Sequence, residues 1–131
     1  MANELQLDIV TPEAGVFSGS VTQVILPAWE GEEGVLPGHD AKLALLRGGV
    51  CTVLSAAGQT RYVIGRGFAE IGGDRVTLLT DSCEVADGID KAAAGQQRTE
   101  LAAKLAQADW VSEEANVLRA ELEVAEARTQ A

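Results

Sequence analysis

The sequence predicts a mixed fold: an N-terminal antiparallel β-sandwich or barrel over residues 1–87, then a C-terminal antiparallel two-helix hairpin over residues 88–131. Three observations carry this reading. Leu5, Leu7 and Ile9 alternate with Gln6 and Asp8, the two-residue period of a half-buried strand. Short β-rich runs then succeed one another with turn residues, and no helical pattern, between them. At Asp87-Gly88 the text changes to an alanine-rich, proline-free composition typical of helices.

Taken in order, Thr11-Pro12-Glu13-Ala14-Gly15 ends the first strand, and Val16-Phe17 opens a second short run. Ser20 to Leu26 is a longer β-branched run that is expected to stop at Pro27, and Trp29 to Gly34 reads as a solvated acidic loop. Val50–Ser55 and Arg61–Ile64 are joined through Ala56-Ala57-Gly58-Gln59, a hairpin signal with a glycine free to take positive φ. Phe68–Ile71 and Arg75–Thr80 meet across Gly72-Gly73-Asp74, and a last run covers Cys83–Ala86. In the tail, Asp90 is placed to cap a first helix whose apolar face is Leu101, Leu105 and Ala108. Asp109–Ser112 interrupts the pattern. Ser112 caps a second helix with Glu113 and Glu114 in its first turn and Ala115, Leu118, Leu122 and Ala125 along its stripe. So short a break folds the helices back on each other, and narrow, alanine-rich stripes make the hairpin less stable than the β unit.

Hydrophobic residues make up 47% of the 131 residues, enough for a core, but aromatics are only 4%, so Val, Leu, Ile and Ala must build it. Ten Lys and Arg face twenty Asp and Glu, a net charge of −10 that repels phosphate backbones and anionic headgroups. This argues against nucleic-acid binding and against direct membrane insertion. The N-terminal residues lack the basic and apolar regions of a targeting signal, and no stretch reaches the length of a membrane span. Cys51 and Cys83 are expected as buried free thiols in a reducing compartment.

The chemical inventory is sparse. His39, the single histidine, stands beside Asp40, but adjacent side chains in an extended segment point apart, so a catalytic or metal role is not expected. Glu30, Glu32 and Glu33 could in principle pair as acid and base or hold a hard cation, yet the spacing of a calcium loop is missing. Gly65-Arg66-Gly67 precedes no helix and lacks the mechanism of a phosphate cradle. We therefore expect no catalytic site, no cofactor and no metal. Two other readings compete with a structural role: a free-standing sandwich that binds a small ligand or carbohydrate, and a small hydrolase using Glu30 and Glu33.

Several collinear segments resemble one family. Leu7-Asp8-Ile9-Val10-Thr11-Pro12-Glu13, Val16-Phe17-Ser18-Gly19, Glu30-Gly31-Glu32-Glu33-Gly34-Val35-Leu36-Pro37-Gly38-His39, Gly65–Ile71 and Val76–Asp81 are similar to the epsilon subunit of bacterial F-type ATP synthase, whose mitochondrial counterpart is called delta. The resemblance implies a ten-stranded flattened sandwich followed by the helical hairpin. It implies a non-catalytic central-stalk subunit that fastens the gamma subunit to the c-ring at the cytoplasmic face of a bacterial inner membrane. Glu30, Glu32, Glu33 and His39 would lie at the c-ring contact. Arg119 and Arg128 on the last helix would be the basic residues available for the catalytic beta subunit, a regulatory contact that can inhibit hydrolysis in the family.

The chain departs from the family's pattern in three places. Ala41-Lys42 stands where a proline often follows the histidine segment, and Arg66 replaces a common glycine. Ala93 occupies the arginine position of an Ile-Asp-x-x-Arg-Ala motif through which some members bind ATP. The loss of that guanidinium predicts no ATP binding. From Ser112 onward only Arg119 and Arg128 stand against Glu113, Glu114, Glu121, Glu123 and Glu126. The resemblance implies that this helix meets an acidic segment of the beta subunit, so like charge on both sides predicts a poor inhibitor of hydrolysis.

Overall fold

A computed structural model of the chain describes residues 4–131. Ten strands precede two helices: β1 (Leu5–Val10), β2 (Gly15–Val21), β3 (Gln23–Ala28), β4 (Gly31–Val35), β5 (His39–Leu46), β6 (Gly49–Ser55), β7 (Gly58–Ile64), β8 (Gly67–Gly73), β9 (Arg75–Thr80), β10 (Cys83–Val85), α1 (Lys91–Gln107) and α2 (Glu113–Gln130). The strands divide into two groups of five, β4-β3-β6-β7-β10 and β5-β8-β9-β1-β2, whose ladders join at the single register pair Ala28↔Leu46. The result is a flattened sandwich.

Alternation builds the interior. In β1 the buried positions are Leu5, Leu7 and Ile9, all 1% exposed or less. Val24 and Leu26 of β3, Leu46 of β5, Ile64 of β7, and Val76 and Leu78 of β9 meet them between the sheets. A fully buried aliphatic side chain contributes about 1.5–3 kcal/mol, so this one cluster dominates the stability of the β unit. Phe17 and Tyr62 contact edge to face, with ring centroids 6.3 Å apart.

Three features differ from the reading of the sequence. The Ser20–Leu26 run is two strands broken at Thr22, and β3 continues through Pro27. Pro27 lies where β3 exchanges one neighbour for another, β6 pairing at residues 23–25 and β5 at Ala28. A missing N–H is tolerated best between two such ladders. The acidic Trp29–Gly34 segment is no loop: Trp29 and Glu30 form a two-residue turn, and Gly31–Val35 pairs along β3 as β4. Polar side chains hid it, because β4 has only one neighbour and most of its residues face solvent. Finally, the sandwich is not wholly antiparallel. β1 lies between β2 and β9 and runs parallel to β9, from Gln6↔Arg75 to Val10↔Leu79.

The tail follows the expected capping chemistry. Asp90 Oδ1 accepts from the Ala93 N–H at 3.1 Å, and Ser112 Oγ accepts from the Ala115 N–H at 3.0 Å. Leu101, Leu118 and Ala125 hold the two helices together, with Leu105, Ala108 and Leu122 at the margin. α2 then lies on the outer side of β6 and β7, where Val63, Ala86, Ala127 and Ala131 form a second small cluster with Val50, Ile89 and Val124. Both cysteines are free; Cys51 is buried and Cys83 half-buried, and burial pushes their thiols up to about 12 and about 11 respectively.

Candidate functional site

Three surfaces carry the unusual side chains. The first is the end of the sandwich at the β3–β4 turn. Glu30 and Glu32 are exposed there, whereas Glu33 is engaged. Lys42 Nζ donates to Glu33 Oε1 at 2.7 Å, and His39 Nε2 lies 3.2 Å from Glu33 Oε2. His39 Nδ1 is 2.7 Å from the Asp40 carbonyl oxygen. The hydrogen bond to Glu33 holds the Lys42 ammonium above its usual range. Of the four residues singled out from the sequence, Glu33 and His39 are brought together, and Glu30 and Glu32 stand apart, making no ion pair among the described residues. Lys42 was missed as a partner: pairing across nine positions has no local signature. Trp29, Leu43, Leu45 and the acids line an open groove of about 450 Å³. With Glu33 held by two basic side chains, the Glu30/Glu33 pair is not arranged as acid and base. No cluster of three His, Cys, Asp or Glu suited to a metal lies among the described residues.

The second surface is the outer face of the β5-β8-β9-β1-β2 sheet. The register places Leu45 opposite Phe68, Phe68 opposite Leu79, and Leu79 opposite Val10. Their neighbours Leu46, Ala69, Leu78 and Ile9 point inward and are fully or nearly fully buried. The row therefore faces outward across four strands, with Leu45 64% exposed and Leu43 beside it equally so. The other end of the same face is polar: Asp8 accepts from Ser18 Oγ at 2.6 Å and Arg75 Nη1 at 2.9 Å. Sequence reading passed over this row. Its signal was there in Ala-Lys-Leu-Ala-Leu-Leu, where Leu43 and Leu45 alternate with Ala44 and Leu46, but alternation between apolar residues does not say which set is outside.

The third is the seam between α2 and the sandwich. Glu123, its side chain only 10% exposed, takes three donors. The Gly48 N–H reaches Oε1 at 2.8 Å, Arg66 Nε reaches Oε1 at 3.0 Å, and Arg66 Nη2 reaches Oε2 at 2.7 Å. Burial would raise the Glu123 carboxyl, but the Arg66 and Gly48 hydrogen bonds and the nearby Arg66 and Arg47 charges outweigh it and hold the group below the ordinary range. Gly48 is required by close approach: a Cβ there would sit 2.7 Å from Glu123 Cβ. Arg128, further along α2, pairs with Glu84 of β10. Arg119 lies 4.6 Å from the Trp110 ring centre and donates to Asn116. Both basic residues of the last helix are thus engaged within the chain.

A two-sheet body with one outer face covered by its own helices and, on the other, an apolar row left exposed among the described residues is the build of a structural binding subunit. Comparisons with known proteins name its kind. Residues 4–86 match the family model for the β-sandwich domain of the ATP synthase delta/epsilon chain. The ATP synthase epsilon chain of Synechococcus sp. (strain WH7803) is 35% identical over 133 aligned positions, covering 96% of this chain and 98% of that one. That of Magnetococcus marinus is 35% identical over 131, covering 100% and 96%. A chain in the structure of the Euglena gracilis mitochondrial ATP synthase OSCP/F1/c-ring superposes with a TM-score of 0.83 at 24% identity, covering 97% of this chain and 80% of that chain.

The chain belongs to the ATP synthase epsilon chain family. An epsilon chain is a central-stalk subunit of F-type ATP synthase and is not itself a catalytic subunit. No helix among the described residues is long and apolar enough to cross a membrane.

Proposed function

We propose that this chain fastens the gamma subunit to the c-ring and transmits rotation between them as a stiff coupling piece. The observation that carries the reading is the outward row Leu45–Phe68–Leu79–Val10. The opposite outer face is covered by α2, whereas this one has no cover among the described residues, and an apolar row of this kind suits a permanent protein contact. We assign it to gamma. Glu30 and Glu32 at the β3–β4 end, with Glu33 and His39 behind them, face the polar loops of the c-ring, where exposed acids set register and partner choice more than affinity. In this division residues 1–87 make both contacts, and residues 88–131 form the hairpin. The location that follows is the cytoplasmic face of a bacterial inner membrane, reached through the other subunits.

Leu45→Asp tests the gamma contact, because a side chain 64% exposed can change without opening the core. The variant should fold and yet fail to co-purify in stoichiometric amount with gamma and the ring. Wild-type recovery of the complex by the variant would overturn the assignment of this row to gamma, whereas failure of the unmutated chain itself to co-purify would favour a free-standing ligand-binding sandwich. The hairpin is a poor inhibitor in this reading, since α2 is acidic and its two arginines are already paired. Deleting the residues after Asp87 should leave hydrolysis by the assembled enzyme nearly unchanged; a several-fold rise would refute that part. ATP is not a ligand: Ala93 offers no guanidinium, and the Asp90 carboxylate is occupied in capping α1.

A further inference from the structure

Arg66 stands in the two-residue link between β7 and β8, its carbonyl fixed by the Asp81 N–H at 2.9 Å. Its guanidinium is used twice. The edge forks onto Glu123, while the guanidinium carbon sits 5.1 Å from the centre of the Trp29 ring. A planar guanidinium can serve both, because stacking uses its face and hydrogen bonding its edge. Arg47, next to the Gly48 that also binds Glu123, lies 5.6 Å from the same ring. Two mutually repelling cations are therefore gathered at one place by an aromatic ring on the sandwich and a carboxylate on the helix. Trp29 is 48% exposed and occupies the turn that carries Glu30.

We propose that Trp29 is a positioning residue for the Arg66–Glu123 contact, so that docking of the helical hairpin depends on where the Trp29 ring lies. The ring presents the guanidinium fork in the plane that the Glu123 carboxylate needs. A displaced ring leaves Arg66 free to turn toward solvent or toward Asp81, whose charge also acts on it. The same side chain is part of the exposed end of the sandwich, so the state of that end is read by α2, on the opposite side of the seam. Which subunit covers the end rests on the central-stalk reading; the link from Trp29 to α2 does not.

Amide hydrogen exchange of the isolated full chain at neutral pH tests the link without any partner. Trp29→Ala should speed exchange of the α2 amides by about threefold to tenfold while leaving the β1 and β9 amides at their wild-type rates. Trp29→Phe, which keeps a ring, should restore most of the protection. Arg66→Lys, which keeps charge but loses the fork, should speed α2 exchange, and adding Trp29→Ala to it should bring no further change. Wild-type α2 exchange in Trp29→Ala would overturn the proposal. So would an equal effect of Trp29→Ala in the wild-type and Arg66→Lys backgrounds, or an acceleration spread through the whole sandwich.

Discussion

Gly48→Ala puts a single methyl group into the tightest contact between the two parts of the chain. Gly48 has no left-handed backbone, so alanine is allowed there by conformation and the cost is steric alone. Its Cβ would lie 2.7 Å from Glu123 Cβ and 3.2 Å from the Val124 backbone nitrogen. Carbon atoms pack best at about 3.5–4.0 Å, so α2 must retreat by roughly 1 Å. Overpacking of this kind costs about 1–3 kcal/mol. The retreat also stretches the three hydrogen bonds to Glu123, now 2.7–3.0 Å, toward lengths at which they no longer count. An ion pair with one partner nearly buried is worth more than an exposed pair, at about 0–1 kcal/mol, and less than the 3–5 kcal/mol lost on breaking a fully buried one.

Taken together, the substitution should weaken docking of the hairpin by about 2–4 kcal/mol. Against this the seam offers only four buried residues, three of them alanine. The expected result is an undocked hairpin on an intact sandwich. Limited proteolysis should cut between Asp87 and Lys91 far faster than in wild type, while the thermal transition of the β unit stays where it was. An unchanged cleavage rate would show that α2 slides to accommodate the methyl and that the close approach is not a constraint.

Three further outcomes follow from the same geometry. Because the Glu123 carboxyl is held below its ordinary range, it contributes to docking in full above the unfolded value of about 4.3 and loses that contribution as the pH falls through its folded value; α2 amide protection should fade at acid pH in wild type and show little of this dependence in Glu123→Gln. Gly67→Ala should destabilise the β unit by about 3 kcal/mol or more, seen in thermal denaturation, because its Cβ would fall 1.9 Å from the Leu79 carbonyl oxygen on the neighbouring strand. Gly95→Ala should stabilise α1 by about 1 kcal/mol, measured by helical circular dichroism on heating, since nothing lies within 4 Å of the added carbon.

Much of the architecture was legible because it is written in local code. The period of two in Leu5, Leu7 and Ile9, the glycine-bearing hairpins at Gly58 and Gly73, and the caps Asp90 and Ser112 each need only a few neighbouring residues to be recognised. What escaped depends on partners distant in sequence. β4 is two glycines, two acids and one valine, and only the pairing along β3 makes it a strand. The parallel β1–β9 pairing joins residues about seventy positions apart, and no local period reports the direction of a neighbour. Arg66 read only as a departure from a common glycine, whereas its partner Glu123 lies 57 positions away. Of the site, Glu30, Glu32, Glu33 and His39 were found through a resemblance, and the structure gathers only Glu33 and His39, in direct contact, with Lys42 as a second partner of Glu33.

The two outer faces of the sandwich solve the same problem by different means, and the difference bears on how a coupling piece must behave. The face under α2 is closed by alanines and two ion pairs, Arg66–Glu123 and Arg128–Glu84. Small apolar contacts supply little burial, so the charged contacts fix where the helix sits, and such contacts are directional and sensitive to acid and salt. The face bearing Leu45, Phe68, Leu79 and Val10 is large-residue and uncharged along its row, so a contact made there draws on buried area and is indifferent to ionic conditions. A subunit that must carry torque without slipping is better served by the second kind of contact, and one that must let an appendage come and go by the first. Assigning gamma to the apolar row and the hairpin to the charged seam therefore predicts opposite salt responses in one molecule: raising the ionic strength should release α2, followed by its amide exchange, while the chain remains bound in the stalk. Loss of the subunit from the complex at the salt concentration that frees the helix would show that both faces are held by charge and would invert the assignment.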